Sequence, residues 1–190
     1  MDIRKFFFKH RGVTPVPLLL AALILADPSW TSFWVGAAIT VIGESIRFWG
    51  VAYAGATTRT TNVGGSRLVT DGPYARVRNP LYIGNFIVSA GWTVMAWPWM
   101  PWMGLIAVSF FALQYACIVN LEEEFLSEKF GVAYEAYRRT VPRWIPRRTP
   151  APSPEKTKPN WRRALQSERN TFQAIAAVAV LILLRWHLLK

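Results

Sequence analysis

Four stretches of this chain, residues 33–53, 81–97, 102–119 and 172–189, are apolar almost without interruption and about as long as a hydrocarbon layer is thick. Such stretches leave few folds open. In lipid no water satisfies backbone N–H and C=O groups, so each segment must bond to itself as a helix or close into a barrel. The runs are continuous instead of alternating, so helices are expected. A fifth run, Val16–Ala26, is shorter. Its length and small-residue end would suit a signal-peptide core, but a retained first span beginning near Val13 is the expectation. The chain therefore reads as an all-α integral membrane protein with about five transmembrane helices, near residues 13–27, 33–54, 80–97, 101–121 and 171–190. Membrane residence explains why 52% of the residues are hydrophobic and ten are Trp. Residues 1–148 form the expected core, 149–170 a basic Pro-rich linker, and 171–190 an additional C-terminal helix. No internal repeat is visible.

Loop charge fixes the orientation. Arg4, Lys5, Lys9 and Arg11 precede the first span, and Arg59, Arg67, Arg76 and Arg78 lie between the second and third. The tail from Lys129 to Arg169 is densely basic, whereas the first-to-second and third-to-fourth turns carry no cation. If the spans alternate, every basic segment falls on one side, which should be cytoplasmic. An inner or plasma membrane protein with a cytoplasmic N-terminus is expected. The same bias accounts for the net charge of +11, and no nucleic-acid motif accompanies it, so no nucleic-acid partner is expected. The first twelve residues, mixing Phe with cations, suit the interface. The single cysteine, Cys117, sits in an apolar run; it makes no internal disulfide and is read as a packed thiol.

Two polar blocks interrupt the apolar pattern, and both fall on the cytoplasmic side. The first is G-G-S-R-L-V-T-D-G-P-Y-A-R-V-R-N-P-L-Y-I-G, Gly64–Gly84; the second is L-E-E-E-F-L-S-E-K-F-G-V-A-Y-E-A-Y, Leu121–Tyr137. Asn79-Pro80 has the form of a helix start, with Asn accepting from the first free N–H groups and Pro in the first turn. A helix N-terminus at the interface also presents its amides and positive dipole end to an anion. Gly72 and Gly84 allow close backbone approach, and Tyr74 and Tyr82 add hydroxyl donors. In the second block, residues 121–140 read as an amphipathic helix, with Gly131 as a C-cap and one or two of Glu122, Glu123 and Glu124 turned inward. Within the second span Glu44 and Arg47 share a helical face, as an internal ion pair or as the lining of a polar cavity. No metal-ligand spacing is present, since His10 and His187 are remote from the blocks, and there is no G-x-G-x-x-G of a Rossmann domain.

The wording of the blocks goes further than their composition. G-P-Y-A-R-V-R-N-P-L-Y-I-G, followed by E-E-E-F-L-S-E-K-F-G-V-A-Y-E-A-Y and a closing R-W-I-P, resembles the isoprenylcysteine carboxyl methyltransferase and phospholipid methyltransferase superfamily over about residues 33–148. The resemblance implies S-adenosylmethionine as cofactor and S-adenosylhomocysteine as product, at a cytoplasmic site built without a Rossmann domain. Its cofactor contacts carry over to Ser66, Arg67, Leu68, Val69, Tyr74, Asn79, Pro80, Leu81, Tyr82 and Glu122. It implies a lipid or lipidated small-molecule substrate in the bilayer, methylated on a carboxylate or an amine. The catalytic candidates are Asn79, Tyr82 and Glu123, the last with the tyrosines as aids to deprotonating an amine.

Three departures bear on substrate. Asn79 stands where the pattern has His, and an amide cannot shuttle a proton. Ile118 stands where the prenylcysteine enzymes place a substrate-contacting Arg. The last apolar segment lies beyond the usual end, as a cap on the site, an anchor or a dimer contact. Two other readings compete: an NADPH-dependent membrane reductase of the sterol type, and a non-catalytic membrane scaffold. Sequence leaves the methyl acceptor and the oligomeric state open.

Overall fold

A computed structural model describes residues 2–55, 67–153 and 156–188. Among these residues seven α-helices follow in order: α1 (Ile3–Lys9), α2 (Val16–Ile24), α3 (Trp30–Ala54), α4 (Pro80–Ala96), α5 (Trp102–Phe130), α6 (Val132–Thr140) and α7 (Trp161–Leu188), with a 3-10 turn at Gly72–Ala75 before α4. No strand occurs among the described residues. Three helices among the described residues, α3, α5 and α7, are long and apolar enough to cross a membrane. At 17 residues α4 rises about 25 Å, just short of the hydrocarbon thickness.

The expected first span, residues 13–27, holds a helix of only nine residues, α2, roughly 13 Å of rise, and the residues expected at the interface form a helix of their own, α1. The intervening residues, with Gly12 and Pro15, break the helix, and Pro17 sits in the first turn of α2, where Pro fits. Even so, the N-terminal segment runs the length of the bundle. Arg4 pairs with Glu124 near the C-terminal end of α5, and Thr14 Oγ1 donates to Gln114 Oε1 at 3.1 Å halfway along it. Beyond α2, Asp27 N–H donates to Ala96 O at 3.0 Å, at the far end of α4.

The closest pair, α3 and α4, meets along a glycine seam that the sequence reading did not single out. Gly36, Gly43 and Gly50 recur every seventh residue on α3; Gly36 faces Gly91, Gly43 faces Gly84, and Gly50 meets the Leu81 side chain on α4. A Cβ at Gly43 would come within 2.7 Å of Val88 N and 2.8 Å of Gly84 O. Apolar association gives little drive inside lipid, so backbone-to-backbone packing over small residues supplies it. Gly84 is thus reassigned: its close approach is to a helix.

Two expected boundaries move. The fourth span and the amphipathic segment are one continuous helix, α5, which ends at Gly131 with φ 50°, a left-handed value costly for any residue with a Cβ. The remainder, α6, is a separate short helix. In turn α7 begins at Trp161, ten residues ahead of the expected span, because Asn160 caps it, its Oδ1 accepting from Arg163 N at 2.9 Å. Its polar first turns are amphipathic and bury Ala164 and Glu168 against α3.

The Glu44–Arg47 pair exists, at 3.3 Å, and it has a third member. Arg47 Nη2 also donates to Glu168 Oε2 at 2.8 Å, and Glu168 is fully buried. With Trp161 stacked on Phe48, this ties α7 into the bundle. Glu168→Ala therefore lowers stability by roughly 3 kcal/mol, because breaking a buried pair leaves charge undercompensated. Thermal unfolding in detergent reads the loss, and an unchanged midpoint would show that α7 is held by its apolar face alone.

Candidate active site

The two polar blocks meet. The segment before α4 lies under the tail that follows α6: Arg78 N–H donates to Pro142 O at 2.9 Å, Arg147 N–H to Arg76 O at 2.9 Å, and Ala151 N–H to Ala75 O at 2.8 Å. Leu68 packs into the cluster of Tyr134, Tyr137, Val141 and Ala151. Tyr137 Oη donates to Tyr74 O at 2.9 Å, and Thr70 and Ser153 hydroxyls are 2.8 Å apart. This clasp of main-chain and side-chain bonds carries the 3-10 turn to the N-terminus of α4. Gly72 adopts φ 58° and presses against the ring of Tyr53 on α3, where any Cβ would collide.

At the joint sits Glu123, 5% exposed. Arg143 Nη2 donates to its Oε2 at 2.6 Å and Arg143 Nε to its Oε1 at 3.2 Å, while Arg78 Nε lies 3.2 Å from Oε1. Both oxygens are thereby committed to guanidinium groups. The carboxylate proposed from sequence as an aid to deprotonation thus lies between two arginines, tying α5 to the segment before α4 and to the tail. Neither Arg78 nor Arg143 was singled out from sequence, although Arg143 opens the closing R-W-I-P.

Glu122 is held differently. Its Oε1 accepts from Tyr82 Oη at 2.7 Å, joining α5 to the first turn of α4. The Tyr82 ring packs on Tyr115, with centroids 5.3 Å apart. Pro80 occupies the first turn of α4 as expected, but Asn79 does not cap with its side chain. Its Nδ2 donates instead to Arg143 O at 3.3 Å, because φ −123° and ψ 54° turn the amide toward the tail. The first-turn N–H groups of α4 thus receive no side-chain cap, which keeps the anion-friendly character of this terminus.

The remaining candidates divide. Arg67 is exposed, with Nη2 3.5 Å from Tyr53 O, and Val69 is half-buried. Leu81 packs on Val51, Ala52 and Ala164. Ser66 lies outside the described residues. Burial raises the Tyr74 hydroxyl well above its ordinary range, so Tyr74 stays protonated at neutral pH and is no base. Ile118 is wholly buried with Phe8, Phe111 and Tyr115, so α1 covers the position where an Arg would have faced a substrate carboxylate. No cluster of metal ligands occurs among the described residues.

A cavity of about 600 Å³ opens beside this arrangement. Tyr82 lines it with Leu81, Tyr115, Arg11, Arg47 and Glu168, so four helices and the N-terminal segment contribute. The site thus combines a carboxylate bonded to a phenol, a helix N-terminus without a side-chain cap, and a roomy chamber of mixed polar and apolar lining in contact with that phenol. Such a donor set suits a ligand with both an ammonium or hydroxyls and a carboxylate, placed next to a second, buried reactant.

A family model described as phospholipid methyltransferase matches residues 31–133. The chain is 30% identical over 152 residues to the nickel-cobalt-cadmium resistance protein NccN of Alcaligenes xylosoxydans xylosoxydans, covering 75% of this chain and 67% of that protein. It is 38% identical over 81 residues to protein-S-isoprenylcysteine O-methyltransferase of Schizosaccharomyces pombe, covering 42% of this chain and 33% of that enzyme. It is also 28% identical over 128 residues to methanethiol S-methyltransferase 2 of Bradyrhizobium diazoefficiens, covering 67% and 48%. The chain therefore spans half or less of the two methyltransferases. No solved structure matches it significantly.

Proposed function

Because the chain belongs to the phospholipid methyltransferase family and is a membrane methyltransferase, we propose that it moves a methyl group from S-adenosylmethionine to a lipid-like or otherwise apolar acceptor at the cytoplasmic membrane face. The observation that carries this reading is the Tyr82–Glu122 bond, 2.7 Å long, at the uncapped start of α4, with Tyr82 also lining the chamber. The fit to the cofactor rests on that donor set. Glu122 suits its ammonium or ribose hydroxyls, and the amides of Leu81 and Tyr82 suit its carboxylate. Arg67, Leu68 and Val69 would border it, with Ser66 assigned by resemblance alone. S-adenosylmethionine would supply a methyl group activated on a sulfonium.

The protein's own work is then to orient and to exclude water. Tyr82 keeps its proton toward Glu122, which holds both side chains at fixed rotamers beside the chamber. Positioning of this kind can supply about 7–11 kcal/mol of a barrier, so the absence of His at position 79 is tolerable. A carboxylate acceptor is already a nucleophile at neutral pH, whereas a thiol or an amine would have to arrive deprotonated, since Tyr74 holds its own proton and both Glu123 oxygens face guanidinium groups. Five crossings are consistent with this reading, with residues 4–24 making the first as a broken helix and α3, α4, α5 and α7 the others. The positive bias of the loops supports a cytoplasmic N-terminus and site.

Calorimetry on the detergent-solubilised full chain tests the reading. S-adenosylhomocysteine is expected to bind with a micromolar constant, about 8 kcal/mol. Absence of binding, with NADPH raising the thermal midpoint instead, would sink the proposal in favour of a membrane reductase.

A further inference from the structure

The chamber beside Tyr82 is not the end of the interior space. A second cavity, about 230 Å³ and lined almost wholly by apolar side chains, lies deeper in the bundle. Leu19 and Leu23 of α2, Phe111 of α5, and Val178 and Ile182 of α7 form its walls. Gly12, Ser89 and Trp92 line both cavities, so the two adjoin. Polar character is graded across the pair. The upper chamber holds Lys9, Arg11, Arg47 and Glu168, and the lower one has only Ser89, Thr93 and the indole N–H of Trp92 to offer.

One element walls both. Glu168 and Thr171 of α7 face the upper chamber, and Val178 and Ile182 the lower. The spacings of three, seven and four residues put all of them on one helical face, spanning about 21 Å of rise. The opposite face goes elsewhere: Leu181 and Leu184 are exposed where lipid would lie, whereas Val178 and Ile182 are buried. The Arg47–Glu168 bond fixes the register of this wall against α3. And α7 stands wholly outside residues 31–133, the part matched by the family model.

Resting on the methyltransferase reading above, we propose that the adjoining cavities form one acceptor site, and that α7 closes its apolar end. The acceptor is then an amphiphile whose polar, reacting group occupies the chamber beside Tyr82 and whose apolar group is short. At about 30 Å³ for each water-sized group, the lower cavity holds roughly eight such groups, which suits a medium alkyl chain and not a long acyl or prenyl tail.

The test reads occupancy, not turnover. The full chain in phosphatidylcholine nanodiscs is photolabelled with diazirine-bearing alcohols of about eight and about sixteen carbons, lengths set by that volume, and the labelled residues are mapped by mass spectrometry. The shorter probe is expected to label Val178, Ile182 and their neighbours saturably. Ile182→Trp, which fills the cavity, is expected to cut that labelling about fivefold or more while S-adenosylhomocysteine affinity stays within about twofold. The longer probe is expected to label Leu181 and Leu184 without saturation. Equal saturable labelling by both lengths, or lipid-facing labelling only, would overturn the proposal. Should Ile182→Trp fail to fold, the chain-length comparison on the unaltered protein still decides. Loss of S-adenosylhomocysteine binding in the unaltered protein would refute the cofactor reading separately, since cavity labelling does not depend on it.

Discussion

Glu122→Ala is expected to weaken S-adenosylhomocysteine binding by about 10- to 100-fold, the cost of losing a charged hydrogen-bond acceptor worth roughly 1.5–3 kcal/mol. The loss has two sources. A carboxylate facing the cofactor disappears, and Tyr82 loses the partner that fixes its hydroxyl at 2.7 Å. Tyr82→Phe should reproduce only the second part, with a loss of about tenfold or less. Calorimetry gives the affinities, and thermal unfolding gives the control, because the Glu122 side chain is only half-buried and the fold should persist. The adjacent glutamate should behave in the opposite way. Glu123→Ala uncouples Arg78 from Arg143 and should cost roughly 2 kcal/mol of stability, less than a fully buried pair because Arg143 is about a third exposed. Retained affinity in Glu122→Ala would remove Glu122 from the site, and a stable Glu123→Ala would show that the joint holds without it.

Gly84→Leu is expected to yield no folded protein. A Cβ at this position would sit 2.7 Å from Gly43 O and would strike the Cγ of Arg47, whose stem crosses over the seam. Overpacking by a single methylene already costs about 1–3 kcal/mol, and leucine adds a whole side chain between two backbones. The helices α3 and α4 would have to separate, and with them the Arg47–Glu168 bond that holds α7. Gly12→Ala is the matched control: nothing lies within 4 Å of its added Cβ, so its thermal midpoint should be unchanged. Size-exclusion profiles and thermal unfolding in detergent distinguish the two. A monodisperse, cofactor-binding Gly84→Leu protein would show that the seam is not required.

Much of the site was legible because its residues are contiguous. Gly72, Tyr74, Asn79, Pro80 and Tyr82 fall within one short polar block, and a helix start and two turn formers can be read there from local rules. The pairing of Glu44 with Arg47 was legible for the same reason, being three residues apart on a helix. The errors lay where a residue's role depends on a partner distant in the chain. Glu122 and Glu123 are neighbours in sequence and equal in chemistry. Helical geometry points them about 100° apart, so one meets Tyr82 and the other meets Arg78 and Arg143. Asn79 is in a cap position by local rules, yet the tail offers Arg143 O and its amide goes there.

By itself the sequence determined the solvent. Unbroken apolar runs force self-bonded helices in lipid, their charged connections gather on one side if the spans alternate, and the two motifs name the family. Tertiary structure alone decided which glutamate meets Tyr82 and which meets the arginines, that the residues before α3 form two helices, that glycines on α3 and α4 set the closest contact, and that α7 packs into the core. The physical reason is the same in each case. Helix formation is a local matter of backbone satisfaction, and it follows from any apolar run. Partner choice depends on which faces meet, and residues such as Arg47 and Glu168, 121 positions apart, meet only after the bundle has packed.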